Sequence, residues 1–159
     1  MGNKAIPNLD SIAQEIRDSL SATDAARETM LRLCREVIRS SSEAIRSVHR
    51  QEYEAAQALL ARAASHLEEI GLLLKDHTAL LNTGFVHDAQ KEFAEGSITL
   101  ALVSGQPIPH PQDLQVPPAA YLNGLGEAVG EMRRHLLDNL RRGQMETCEQ
   151  TLSQMDGYL

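Results

Sequence analysis

Tryptophan is absent, and only two phenylalanines and three tyrosines are present, so the core must be built from Leu, Ile, Ala, Val and Met. Such a core suits close helix packing, because small aliphatic side chains let backbones approach. Only two cysteines are present, Cys34 and Cys148, too sparse to imply a disulfide scaffold or a zinc cluster, and both read as buried free thiols. No apolar run is long enough to cross a bilayer, and the N-terminal residues carry no signal-like apolar stretch. The expectation is a cytoplasmic protein with no membrane contact. Convincing two-residue strand alternation is missing throughout. A net charge of -7 argues against a generic DNA-coating surface, while leaving room for a local basic face. His-Glu-x-x-His is absent, as are the paired Glu-x-x-His helices of di-iron bundles. The six histidines, His49, His66, His77, His87, His110 and His135, form no catalytic or zinc motif.

What the chain does contain is helical periodicity. Its 159 residues, 42% hydrophobic and 23% charged, suit one ordered domain over residues 9–159 behind a loose lead-in at 1–8. Leu9, Ile12, Ile16 and Leu20 recur at helical spacing. Ser21, Thr23 and Asp24 then offer a break or a bend. A second helix is expected from Asp24 to about Arg50, a third from Gln51 to Lys75, and a fourth from Phe85 to about Val103. Pro107, Pro109, Pro111, Pro117 and Pro118 make the next stretch an intradomain connection, with Pro118 suited to the first turn of the following helix. That helix runs from Tyr121 to about Arg142 on Tyr121, Leu125, Val129, Met132, Leu136 and Leu140, and Gly143 can end it. Met145, Cys148, Leu152 and Met155 suggest a short final helix. The fold class is all-α, a bundle of six or seven helices.

Two stretches carry chemistry. In FVHDAQKEFAEGSITLAL, Glu92 and Glu95 lie about 60° apart around a helix, with Asp88 and Thr99 extending the polar line. In GLGEAVGEMRR, Glu127 and Glu131 stand four residues apart, again on one face. Two helices each presenting two carboxylates could hold a divalent cation; equally, each glutamate could be a solvated helix residue. Arg32, Arg35, Arg39 and Arg46 form a basic row that could track nucleic-acid phosphates, or could pair with Glu28, Glu36 and Glu43 as a solvated face. Lys91 is expected to reach Glu92 only indirectly, because adjacent residues point in different directions. Tyr53 and Tyr121 read as core residues.

The blocks RETMLRLCREVIRSSSEAI, GFVHDAQKEFAEG, YLNGLGEAVGEMRRHLLDNLRRG and METCEQTLSQMDGYL, in that order, resemble the translin and translin-associated factor X family, and within it the shorter microbial factor X-like members. The resemblance runs from about residue 20 to the C-terminus. It implies a translin-like helical fold assembling into a hollow homo-oligomer, often an octamer, that accommodates nucleic acid. Glu92 and Glu95 match the two glutamates of the family's EFVEA-like segment, and Glu127 and Glu131 match its later acidic pair. The first of that later pair is usually Asp, so Glu127 adds a methylene.

The resemblance therefore implies a metal-dependent endoribonuclease acting on single-stranded or locally unpaired RNA. Mg²⁺ or Mn²⁺ would be held at Glu92, Glu95, Glu127 and Glu131, which are the implied catalytic and metal residues. Arg32, Arg35, Arg39, Arg46, Arg133 and Arg134 are the candidate RNA contacts. Two alternatives are an oligomeric RNA- or single-stranded-DNA-binding protein without catalysis and a helical assembly module.

Overall fold

The structure is a computed structural model describing residues 8–81, 83–144 and 152. Among these residues there are four long helices, one four-residue helix and a 3-10 turn, with no strand. They are α1 (Leu9–His49), α2 (Tyr53–Asp76), the turn Thr78–Leu80, α3 (Gly84–Val103), α4 (Pro111–Leu114) and α5 (Pro118–Arg141). The all-α expectation holds, with fewer and longer helices. The final helix expected around Met145, Cys148 and Met155 lies outside the described residues, as does most of the 1–8 lead-in.

No break occurs at Ser21–Asp24. Neither glycine nor proline occurs between Pro7 and Gly71, and the Thr23 hydroxyl donates to the Ser19 carbonyl at 3.0 Å instead of capping a new helix. The chain first turns at Arg50–Glu52, where Gln51 takes a left-handed φ of 64°. From there α2 folds back along α1, and Arg62 returns to within 3.4 Å of Glu36.

The core begins only at Ala26. Met30, Leu33, Cys34, Val37, Ala44 and Val48 of α1 are buried with Ala56, Leu60, Ala63 and Ile70 of α2 and Val86, Phe93 and Ile98 of α3. Each larger side chain removed from water contributes about 1.5–3 kcal/mol. By contrast, Leu9, Ile12, Ile16 and Leu20 remain between 51% and 64% exposed. Their helical spacing is real, but no described part of the chain covers them.

The connection 104–117 sets the direction of α5. It is fastened by the Tyr121 hydroxyl, which donates to the Pro109 carbonyl at 2.7 Å, and by the His110 backbone N–H, which donates to Asp113 at 3.1 Å. As expected, Pro118 opens the helix, and Gly143, at φ 74°, follows its end. Having crossed back, the chain runs α5 parallel to α3. His87 meets Asn123 and Lys91 meets Glu127, both 36 residues apart.

The buried face of α5 differs from the expected stripe. Ala120, Tyr121, Gly124, Ala128, Met132, His135 and Asn139 face inward, while Val129 and Leu140 are exposed. Close approach of α3 explains the rotation. A Cβ on Gly124 would lie 2.7 Å from the Lys91 carbonyl oxygen, so only the small-residue face can pack there.

Candidate metal centre

Parallel helices in close contact bring equivalent turns together, and here the turns are acidic. Carboxylate oxygens of Glu92 and Glu95 on α3 and Glu127 on α5 all lie within 4.8 Å of one another. Glu95 is the buried member, 8% exposed, while Glu127 is open to solvent. Burial pushes the Glu95 carboxyl up to about 8; a hydrogen bond shared with Glu127 and the negative charges of Glu92, Glu127 and Glu131 add to the effect. Three carboxylates packed this closely are stable only with a proton or a cation among them.

Part of that positive charge comes from Lys91. Its Nζ lies 2.9 Å from Glu127 Oε1 and 3.2 Å from Glu92 Oε1, so the expectation that it would reach Glu92 only indirectly is corrected. A flexible four-carbon stem lets the ammonium bend back toward its neighbour while bridging to α5. Its pKa is raised, chiefly by the hydrogen bond to Glu127, against a smaller opposing effect of burial.

Glu131 stands apart from the other three. Its Oε2 is 2.5 Å from His49 Nε2, and Arg134 approaches the same oxygen at 3.9 Å. His49 is 8% exposed, and its ring lies 6.2 Å from that of His135, centre to centre. Burial lowers the pKa of His135, with repulsion from His49 next in weight. Neither histidine stood out by motif. Position was the available signal, since His135 continues the register Ala128, Met132 and Asn139, and His49 follows Ile45 and Val48.

The six candidate arginines all lie on exposed surface. Arg39 pairs with Glu36 at 2.5 Å. Arg134 borders the Glu131–His49 pair. Arg32, Arg35, Arg46 and Arg133 make no ion pair within 4.0 Å among the described residues. No helix is long and apolar enough to cross a membrane among the described residues.

No family model matches the chain. An uncharacterized protein of Methanocaldococcus jannaschii is 25% identical over 142 residues, 86% of this chain. The chain spans only 61% of that relative's length. Among solved structures, AfC3PO in complex with duplex RNA is 33% identical with a TM-score of 0.78, covering 91% of this chain and 74% of its own. AfC3PO without RNA is 32% identical at the same TM-score, covering 91% and 75%. The apo-NeC3PO structure superposes with a TM-score of 0.81 over 98% of this chain and 81% of its own; at 18% identity it speaks for the fold alone. By its sequence identity to AfC3PO and its matching helical fold, the chain belongs to the C3PO (translin and translin-associated factor X) family.

Proposed function

We propose that this protein is a metal-dependent endoribonuclease that hydrolyses phosphodiester bonds of RNA. The observation that carries the reading is the convergence of Glu92, Glu95 and Glu127 from two parallel helices. An all-oxygen carboxylate set is the donor chemistry of Mg²⁺ or Mn²⁺, and the carboxylates of Glu92 and Glu127 stand beside the buried Glu95. Glu92, Glu95 and Glu127 are the groups that would hold the ion, which would supply Lewis acidity toward a phosphate and its attacking water. Glu131 is assigned to positioning water at the rim, because His49 holds its carboxylate outside the three-glutamate cluster.

RNA is the proposed partner because AfC3PO, one third identical to this chain, is seen with duplex RNA. Arg133 and Arg134, six and seven residues beyond Glu127 on α5, and the α1 row Arg32, Arg35, Arg39 and Arg46 supply phosphate contacts, which give affinity but little sequence selectivity. Homo-oligomerisation belongs to the same reading. The uncovered stripe Leu9, Ile12, Ile16 and Leu20 is a surface that further copies of the chain could bury.

The test is incubation of the purified assembly with end-labelled single-stranded and duplex RNA under Mg²⁺ or Mn²⁺. Internal cleavage that stops on chelation, and is lost in an assembled Glu95→Ala protein, is the expected result. Normal cleavage by that variant would sink the reading. A second reading, RNA or single-stranded DNA binding without catalysis, is favoured by one feature: Lys91 already pairs with an oxygen of Glu92 and one of Glu127. Salt-sensitive binding without metal-dependent products would establish it.

A further inference from the structure

Lys91 occupies a position that the chemistry of the acidic cluster does not lead one to expect. A cluster built only to attract a divalent cation gains nothing from a fixed ammonium between two of its three carboxylates. Yet Nζ lies 2.9 Å from Glu127 and 3.2 Å from Glu92, with the side chain only 20% exposed. Those distances are hydrogen-bond distances, so the ammonium already uses oxygens that an ion would need. Glu95 lies on the buried side of the same cluster, so a cation shared by all three must approach the carboxylates that Lys91 holds.

We propose that Lys91 is the resident counter-cation of this site, displaced from Glu92 and Glu127 when a divalent ion binds, and that it thereby sets the site's metal affinity below what its three carboxylates alone would give. This proposal rests on the metal-site reading above and adds to it a regulating residue. The physical basis is competition for shared oxygens together with like-charge repulsion. An ammonium retained within a few ångströms of a divalent ion opposes it strongly in a partly buried setting. The length of the Glu127 side chain suits the same arrangement, because it carries the carboxylate from α5 to the Lys91 ammonium on α3.

A purely structural reading makes Lys91 a tie between α3 and α5, and the two readings differ in sign. Removing a tie loosens the carboxylates and weakens metal binding; removing a competitor strengthens it. The experiment is calorimetric titration of metal-free protein with Mn²⁺ at fixed ionic strength, on wild type, Lys91→Met, Lys91→Arg and Arg141→Met, with unfolding midpoints recorded separately. Lys91→Met keeps the aliphatic stem and removes the charge, and its Mn²⁺ Kd should fall about tenfold, on the order expected for one nearby charge. Lys91→Arg keeps the charge and should stay within about threefold of wild type by the same reasoning.

Arg141→Met removes an exposed charge at the C-terminal end of α5 and should change Kd less than about twofold, because screened surface charges act weakly. A Lys91→Met protein that binds Mn²⁺ no tighter than wild type, while wild type binds, overturns the role of Lys91 and leaves the metal site standing. An equal gain in Arg141→Met reduces the effect to net charge and overturns it as well. Absence of binding in both wild type and Lys91→Met removes the metal site and this proposal together.

Discussion

A methyl carbon on Gly124 would lie 2.8 Å from the backbone nitrogen of Glu95 and 2.9 Å from the Ala94 Cβ. Backbone therefore meets backbone where the acidic turns face each other, and the absence of a side chain at Gly124 keeps Glu127 within reach of α3. Gly124→Ala should lower unfolding free energy by about 1–3 kcal/mol through overpacking. It should also weaken Mn²⁺ binding, because α3 and α5 must separate. Gly130, with nothing within 4 Å of its would-be Cβ, is the contrast. Gly130→Ala should stabilise the helix by about 0.5–1 kcal/mol. Urea denaturation of the two variants checks both signs, and equal effects would show that the close approach does not matter.

Glu95 makes the metal-free protein sensitive to pH. Its folded-state pKa of about 8 lies above the ordinary carboxylate value of 4.5. Between those values the native chain keeps a proton that the unfolded chain has lost, so stability falls as pH rises through the window and levels off above it. Glu95→Gln removes the titration. Relative to wild type, the variant should gain stability steadily from pH 5 to pH 8.5 when followed by urea denaturation in chelator. Parallel curves for the two proteins would refute the assignment. In the wild type, Mn²⁺ must displace that proton, so affinity should rise toward pH 8 with measurable proton release.

Each acidic pair was legible from spacing, since Glu92 with Glu95 and Glu127 with Glu131 share a helix face whatever the tertiary structure. What brings the pairs together was not. The 36-residue offset of α3 and α5 depends on how the connection 104–117 reverses the chain, and no local periodicity records that. The packed face of α5 is hidden from periodicity for a related reason. Large residues such as Val129 and Leu140 dominate a hydrophobic pattern, whereas the real contact is made by Gly124 and Ala128, whose value lies in their small size. Ser21, Thr23 and Asp24 are capping residue types that suggest a break, but with no glycine or proline near them α1 continues through. His49 and His135 escape a hydrophobic pattern because buried histidines follow an apolar register without being apolar.

The arginines should separate by their present partners. Arg133 makes no ion pair among the described residues, while Arg39 is already held by Glu36. If both lie along the RNA path, Arg133→Ala should weaken binding and reduce the slope of log K against log salt by about one phosphate contact. Arg39→Ala should lose less, because its charge is partly committed. Filter-binding titrations over a range of salt with the Glu95→Ala protein as background measure both slopes without cleavage. An unchanged slope for Arg133→Ala would remove it from the interface.

Glu131 is the sharpest test of how the four acids divide their work. Its partner is His49 at 2.5 Å, on a different helix, and it is not among the three carboxylates that converge. Glu131→Gln should therefore leave the Mn²⁺ Kd within about threefold of wild type, since the converging oxygens are intact. Glu92→Gln, which removes one of those oxygens' charges, should cost more than about tenfold on the same reasoning. In a double-mutant cycle on stability, His49→Ala and Glu131→Gln should couple by about 1–3 kcal/mol, as expected for a partly buried hydrogen bond to a charged group. The coupling matters because His49 Nδ1 has no protein partner among the described residues, leaving Glu131 as the contact that satisfies the buried ring. Equal metal losses in Glu131→Gln and Glu92→Gln would instead make Glu131 a full ligand, and would require its carboxylate to leave His49 when the ion binds.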